Sequence, residues 1–183
     1  DILEVNKINT KSTRNWIKPI QPDLIICLGW SEIIDEELLG IPKIGIIGYH
    51  PSKLPENRGK HPIIWSIALG LKETASTFFI MDKKIDNGKI LSQKKIKIDN
   101  FDDATSLYKK LTKVASNQLF ELLKKLNKPI FKNIYKKNNY NYWRSRSFID
   151  GEINWTSSSI TIHNLVRSLT YPYPNAHFIY KKK

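Results

Sequence analysis

The sequence predicts an α/β fold in which parallel strands come first and a small separate unit comes last. Three observations predict it. The runs LIICLG (24–29) and KIGIIGYH (43–50) are short, continuous and apolar, and turn residues bound them, as expected of strands buried on both faces. Helical stretches lie between and after them, so strand and helix alternate. A polar, aromatic segment at 132–147 then separates a long amphipathic helix from the last residues.

Each element has a local reason. Pro22-Asp23 and Gly29 bound the first strand, and residues 33–39 predict a short helix ended by Gly40 and Pro42. The second strand, 43–50, runs directly into His50, and loop chemistry follows from Pro51 to Lys60. Pro62 suits the first turn of a helix, where its missing N–H costs nothing; Ile63, Ile64, Trp65, Ile67, Ala68 and Leu69 follow, and Gly70 closes it. TASTFFIM (74–81) reads as a third strand and KILSQKKIKI (89–98) as a fourth, with alternation clearest toward its end. Asp99-Asn100 opens a helix over 101–126, apolar at Leu107, Leu111, Val114, Leu119, Leu122 and Leu126, and Pro129 stops it. The last unit holds a helix at 158–169 and a short strand after Pro174. The expected boundaries are 1–131 for the main domain, 132–147 for a linker and 148–183 for the start of a small C-terminal subdomain.

Composition narrows the function classes. With 183 residues, 40% hydrophobic and five tryptophans, the chain can bury a real core. No apolar run of 18 residues exists, so no spanning helix and no membrane partner are expected. The opening DILEVNKINTKSTRNW has no apolar signal core, which points to a cytoplasmic location. Cys27, the single cysteine, reads as a buried small residue. No Cys/His grouping has metal spacing, so no metal is expected. The net charge of +13 invites a nucleic-acid reading, but only five of the 30 basic residues are arginine, and Lys, Ile and Asn make up 67 of the 183 positions. That bias spreads a lysine coat over the surface. It would still attract a nucleotide-linked or polyglutamylated ligand.

In open α/β sheets ligands bind beyond the carboxyl ends of strands, and His50 stands at such an end. The later segment MDKKIDNGKIL (81–91) places an Asp-Asn-Gly turn after another strand, so Asp86 can meet His50 across the sheet end. A carboxylate beside an imidazole raises its pKa and fixes its tautomer, which suits proton transfer near neutrality.

HPSKLPENRGKHPIIW followed by TASTFFIMDKKIDNGKIL resembles the folate-dependent formyltransferases, which include methionyl-tRNA formyltransferase and the sugar N-formyltransferases. The ordered His-Pro-Ser-x-Leu-Pro-x-x-Arg-Gly and Asp-x-Gly-x-Ile motifs carry the resemblance, and the tail DGEINWTSSSITIHNLVRSLTYPYPNAHF is similar to the family's entry into its C-terminal subdomain. The resemblance implies a Rossmann-like formyltransferase domain with a mainly parallel sheet, here without the first βα units. It implies 10-formyltetrahydrofolate as formyl donor and an amine as acceptor, with His50 and Asp86 as the catalytic pair. His50 would serve the oxyanion or the incoming amine. Gly29, Trp30, Ile33, Met81 and Ile85 match segments that line the folate site, and Arg58, Gly59 and Trp65 are the candidate acceptor contacts. The acceptor that fits best is a nucleotide-linked aminosugar of the 4-amino-4,6-dideoxyhexose type, made for a surface polysaccharide. Methionyl-tRNA is the runner-up, and a folate-binding homologue without turnover is the rival of another class. A homodimer is one assembly left open. One departure stands out: the family usually carries Asn two residues before the histidine, where this chain has Gly48. Losing one oxyanion donor is typically worth about 10²–10³ in rate.

Overall fold

The structure, a computed structural model, describes residues 2–125 and 140–180. A first helix α1 (Lys11–Ile17) and a single 3-10 turn precede β1 (Leu24–Cys27), α2 (Glu36–Leu39) and β2 (Gly45–His50). Then come β3 (Arg58–Gly59), α3 (Pro62–Ala68), β4 (Glu73–Ile80), β5 (Ile90–Lys97) and α4 (Ala104–Leu123). The chain ends with β6 (Tyr142–Trp143), a 3-10 turn at Phe148–Gly151, and α5 (Ser159–Ser168). The main sheet has the order β1-β2-β4-β5, and β3 pairs with β6 in a small second sheet.

The α/β architecture is as expected, and β1 and β2 are parallel. The parallel order does not extend further: β2–β4 and β4–β5 are antiparallel. The nine residues joining β4 to β5 are too few for the crossover that a parallel neighbour needs, about a dozen or more. The short α3 likewise leaves the chain at the end of the sheet where β2 finished.

The apolar runs are continuous because both sheet faces are covered. Ile46 packs with Ile34 and Leu38, whereas Ile47 packs with Phe78 and Leu122 of α4, so neighbours on β2 serve opposite faces. Ile63 and Ile67 of α3 join Leu107 and Leu111 of α4 over Ile96 and Ile98.

Helix starts follow their caps. Asp35 accepts from the Leu38 N–H at 2.9 Å, which starts α2 at Glu36 rather than at Ile33. Asp103 and Ser106 form a reciprocal capping box, so α4 begins at Ala104, and the expected cap at 99–100 is a turn instead. The strand expected after Pro174 is a single parallel bridge, Glu152 to His177. Arg167 of α5 donates to the carbonyls of Asp102 (2.5 Å) and Asp99 (3.3 Å) and from Nε to Asn164 (2.9 Å), which fastens α5 to the start of α4. Of the expected linker, 132–139 lie outside the described residues, while β6 pairs with β3. Among the described residues no helix is long and apolar enough to cross a membrane.

Candidate active site

His50 and Asp86 do meet, but by a longer route than the sequence implies. Because β4 runs antiparallel to β2, its last residue Ile80 lies opposite Ile47, while His50 lies opposite Thr77. The 81–89 loop must therefore double back along the sheet. Gly88 permits this: a Cβ there would stand 1.5 Å from the Ile80 carbonyl oxygen. Asp86 itself takes a left-handed φ of +48°.

The geometry fixes the protonation pattern. His50 is only 6% exposed, and its Nε2 lies 3.1 Å from the Asn57 carbonyl oxygen. A carbonyl can only accept, so Nε2 carries the proton and Nδ1 of the neutral ring keeps its lone pair. That Nδ1 faces Asp86 Oδ1 at 3.7 Å, too far for a hydrogen bond. The other carboxylate oxygen, Oδ2, accepts the Gly59 N–H at 2.9 Å. Burial pushes the His50 pKa below its ordinary value and outweighs the upward pull of Asp86. The raised pKa expected from the carboxylate alone is thus reversed, because the ring is desolvated.

The loop after His50 is braced from behind. Ser52 Oγ donates to the Asn57 carbonyl (2.8 Å), Thr77 Oγ1 donates to the Ser52 carbonyl (2.6 Å), and Gln93 Nε2 donates to the Leu54 carbonyl (2.7 Å) and to Thr77 Oγ1 (3.0 Å). The Ser52, Leu54 and Asn57 carbonyls of the buried turn thereby find donors inside the fold.

Arg58, Gly59 and Trp65 come together, but on the segment 140–146. Arg58 is 2% exposed; its guanidinium lies 4.2 Å from the Tyr140 ring centre and donates to the Tyr142 hydroxyl at 2.9 Å. Gly59, at φ +98°, approaches so closely that a Cβ would sit 2.2 Å from the Trp143 carbonyl oxygen. Trp65 Nε1 donates to the Arg144 carbonyl at 3.0 Å, and Arg146 lies 4.6 Å from its ring centre. Arg58, a candidate acceptor contact, is thus enclosed by the docking of β6. Tyr140 and Tyr142 pack against the main domain through Arg58. Asn57 and Asn141 were missed, and the only sequence signal was that asparagine favours turns.

The apolar candidates lie at the same edge. Gly29 turns the chain at φ +66°, and Trp30 (40%), Ile33 (55%) and Ile85 (45%) are exposed. Met81 packs against the Ile34, Leu38 and Ile46 cluster. Lys60 Nζ donates to the Ser31 carbonyl at 2.6 Å and Lys83 pairs with Glu36 at 3.4 Å, tying both segments to the site's rim. Gly48 is enclosed: a Cβ would lie 2.9 Å from Met81 Cγ and 3.0 Å from Phe79 Cζ. Among the described residues no group of three or more His, Cys, Asp or Glu gathers as a metal cage would require.

Comparison with known proteins matches the chain to a family. Residues 3–123 match the model described as formyl transferase, and 148–183 match its C-terminal domain model. The chain is 37% identical over 178 residues to the bifunctional polymyxin resistance protein ArnA of Wigglesworthia glossinidia brevipalpis, covering 96% of this chain and 27% of that protein. It is 38% identical over 165 residues to the methionyl-tRNA formyltransferase of Thermodesulfovibrio yellowstonii, covering 90% of this chain and 53% of that one. In structure it resembles a sugar N-formyltransferase from Shewanella, with a TM-score of 0.81, 22% identity, and coverage of 94% and 70%. The chain thus spans about half the length of the tRNA enzyme it matches and about a quarter of ArnA.

Proposed function

The chain belongs to the formyl transferase family, and from that premise we propose that it transfers a formyl group from 10-formyltetrahydrofolate to an amine, with His50 and Asp86 receiving the amine's proton. One observation carries this reading. The lone pair of His50 Nδ1 and the free oxygen Oδ1 of Asp86 face each other at 3.7 Å. Two acceptors poised around one gap suit an incoming N–H donor. His50, held neutral by burial, takes the proton at Nδ1, and the adjacent carboxylate stabilises the imidazolium that forms.

The donor supplies the formyl group. Exposed Trp30, Ile33 and Ile85, on rims tied together by Lys60 and Lys83, fit a flat, partly apolar ring system. Gly48 leaves that face without the family's amide, and Met81 and Phe79 fill the volume where one would stand. The Nε2–H of His50 is engaged by Asn57, so Nδ1 is the proton acceptor and not the amide's substitute.

For the acceptor we propose a nucleotide-linked aminosugar of the 4-amino-4,6-dideoxyhexose type, modified for a surface polysaccharide. Support comes from the likeness to a sugar N-formyltransferase fold and from the cation Arg146 beside Trp65, next to the site. Methionyl-tRNA is the second reading, favoured by the 38% identity to a tRNA enzyme. Single-turnover transfer to nucleotide-linked aminosugars and to methionyl-tRNA, with His50→Ala as control, separates the readings. Transfer to one sugar that the control abolishes establishes the first. Transfer to tRNA alone establishes the second. Folate binding without transfer to any acceptor leaves a binding protein.

A further inference from the structure

The dyad hangs on three residues, 57–59, and those residues hang on β6. On the inner side, the Asn57 carbonyl fixes the His50 tautomer and the Gly59 N–H holds Asp86 Oδ2. On the outer side, the Asn57 N–H donates to Asn141 Oδ1 at 2.7 Å, and Asn141 Nδ2 donates back to Asn57 Oδ1 at 2.8 Å. The next two links are backbone bonds: Arg58 N–H to the Asn141 carbonyl (3.2 Å) and Lys60 N–H to the Trp143 carbonyl (2.9 Å). Asn57 has a left-handed φ of +59°, a conformation the other natural side chains adopt less readily than asparagine or glycine. Asparagine suits that conformation, and the bonds to Asn141 hold the residue in it.

We propose that Asn141 is a positioning residue of the active site: its amide pair with Asn57, 84 residues earlier, sets the carbonyl that determines which nitrogen of His50 bears the proton. The proposal rests on the reading of His50 as proton acceptor, although the coupling itself is a property of the resting protein. Asn141 touches none of the dyad. It acts through Asn57, as the other edge of the strand whose inner edge orients both catalytic side chains. The reciprocal amide bonds hold the Asn57 N–H and side chain, and so its left-handed φ and the Cα from which the carbonyl projects, while the Arg58 N–H bond to the Asn141 carbonyl holds the carbonyl's own peptide plane.

The test uses the full chain with ¹⁵N-labelled histidine, the His50 resonances being assigned by their loss in His50→Gln. The wild-type ring should show a protonated Nε2 and a bare Nδ1 at neutral pH. In Asn141→Ala the two tautomers should mix, the His50 pKa should move up toward the ordinary histidine value, and kcat should fall about tenfold with little change in KM. Asn57→Gly keeps the carbonyl, the N–H and the left-handed φ but loses the acceptor of the return bond, and should give an intermediate spectrum. Asn141→Asp keeps the acceptor for the Asn57 N–H but loses the return donor, and should give an intermediate spectrum. An unchanged His50 spectrum and pH profile in Asn141→Ala, with only the melting temperature lowered, would overturn the proposal and leave Asn141 a structural contact. Wild type that shows the fixed tautomer, and loses it in Asn141→Ala, yet transfers no formyl group would instead sink the functional reading while the coupling stands.

Discussion

Nδ1 of His50 and Oδ1 of Asp86 face each other at 3.7 Å, each an acceptor, while the far side of each group is already bonded to the 57–59 segment. The gap is a place for a third group. Asp86→Asn should lower kcat by about 10²–10⁴, the usual worth of a positioned acid–base group, while leaving folding intact. Single-turnover kinetics at saturating donor checks it. A drop below tenfold would place the proton elsewhere.

Burial of His50 predicts a pH profile with a definite sign. Because its pKa in the folded chain lies below the ordinary histidine value of about 6.5, kcat/KM should rise with pH through that lowered value and be flat at neutrality. For stability, folded and unfolded chains both hold His50 neutral above about pH 6.5 and it contributes nothing. As pH falls below that, the unfolded chain binds the proton first, so stability is lost down to the folded pKa. Urea titrations of wild type and His50→Gln across this range should diverge, with the variant losing less.

Gly48 should resist repair toward the family pattern. Gly48→Asn places a Cβ against Met81 Cγ and Phe79 Cζ, and overpacking of this kind costs about 1–3 kcal/mol. Adding Met81→Ala should recover part of that loss by clearing the nearer clash. Denaturant midpoints of the single and double variants measure it. Equal midpoints for wild type and Gly48→Asn would mean the neighbouring side chains move aside freely.

Arg58→Lys should be far from conservative. Lysine keeps the charge but cannot lie flat on Tyr140 while donating to the Tyr142 hydroxyl. We expect destabilisation of about 2–4 kcal/mol, faster amide exchange at 141–143, and reduced turnover from the loosened 57–59 segment. Retained stability with weakened acceptor binding would return Arg58 to a direct substrate role.

Arg167→Met should act on stability alone. It removes the donors to the Asp102 and Asp99 carbonyls that fasten α5, at a cost of about 1.5–3 kcal/mol for bonds from a charged group. Transfer per folded molecule should not change. Thermal melts beside activity assays normalised to folded protein distinguish this from a catalytic effect.

Periodicity, turn residues and spacing determined a good deal here. The two apolar runs showed strands covered on both faces, the strand end placed His50, and the ordered motifs paired it with Asp86, because each of these is written within a few neighbouring residues. Only the tertiary structure decided how the pair is held. The antiparallel course of β4 sends the Asp86 loop back along the sheet, past a glycine whose side would otherwise strike Ile80. The docking of β6 makes Arg58 a buried clamp and sets Asn141 against Asn57. Such contacts join residues 84 positions apart. A polar side chain in a loop shows no periodicity that names its partner, and burial, not residue type, settled the direction in which His50 titrates.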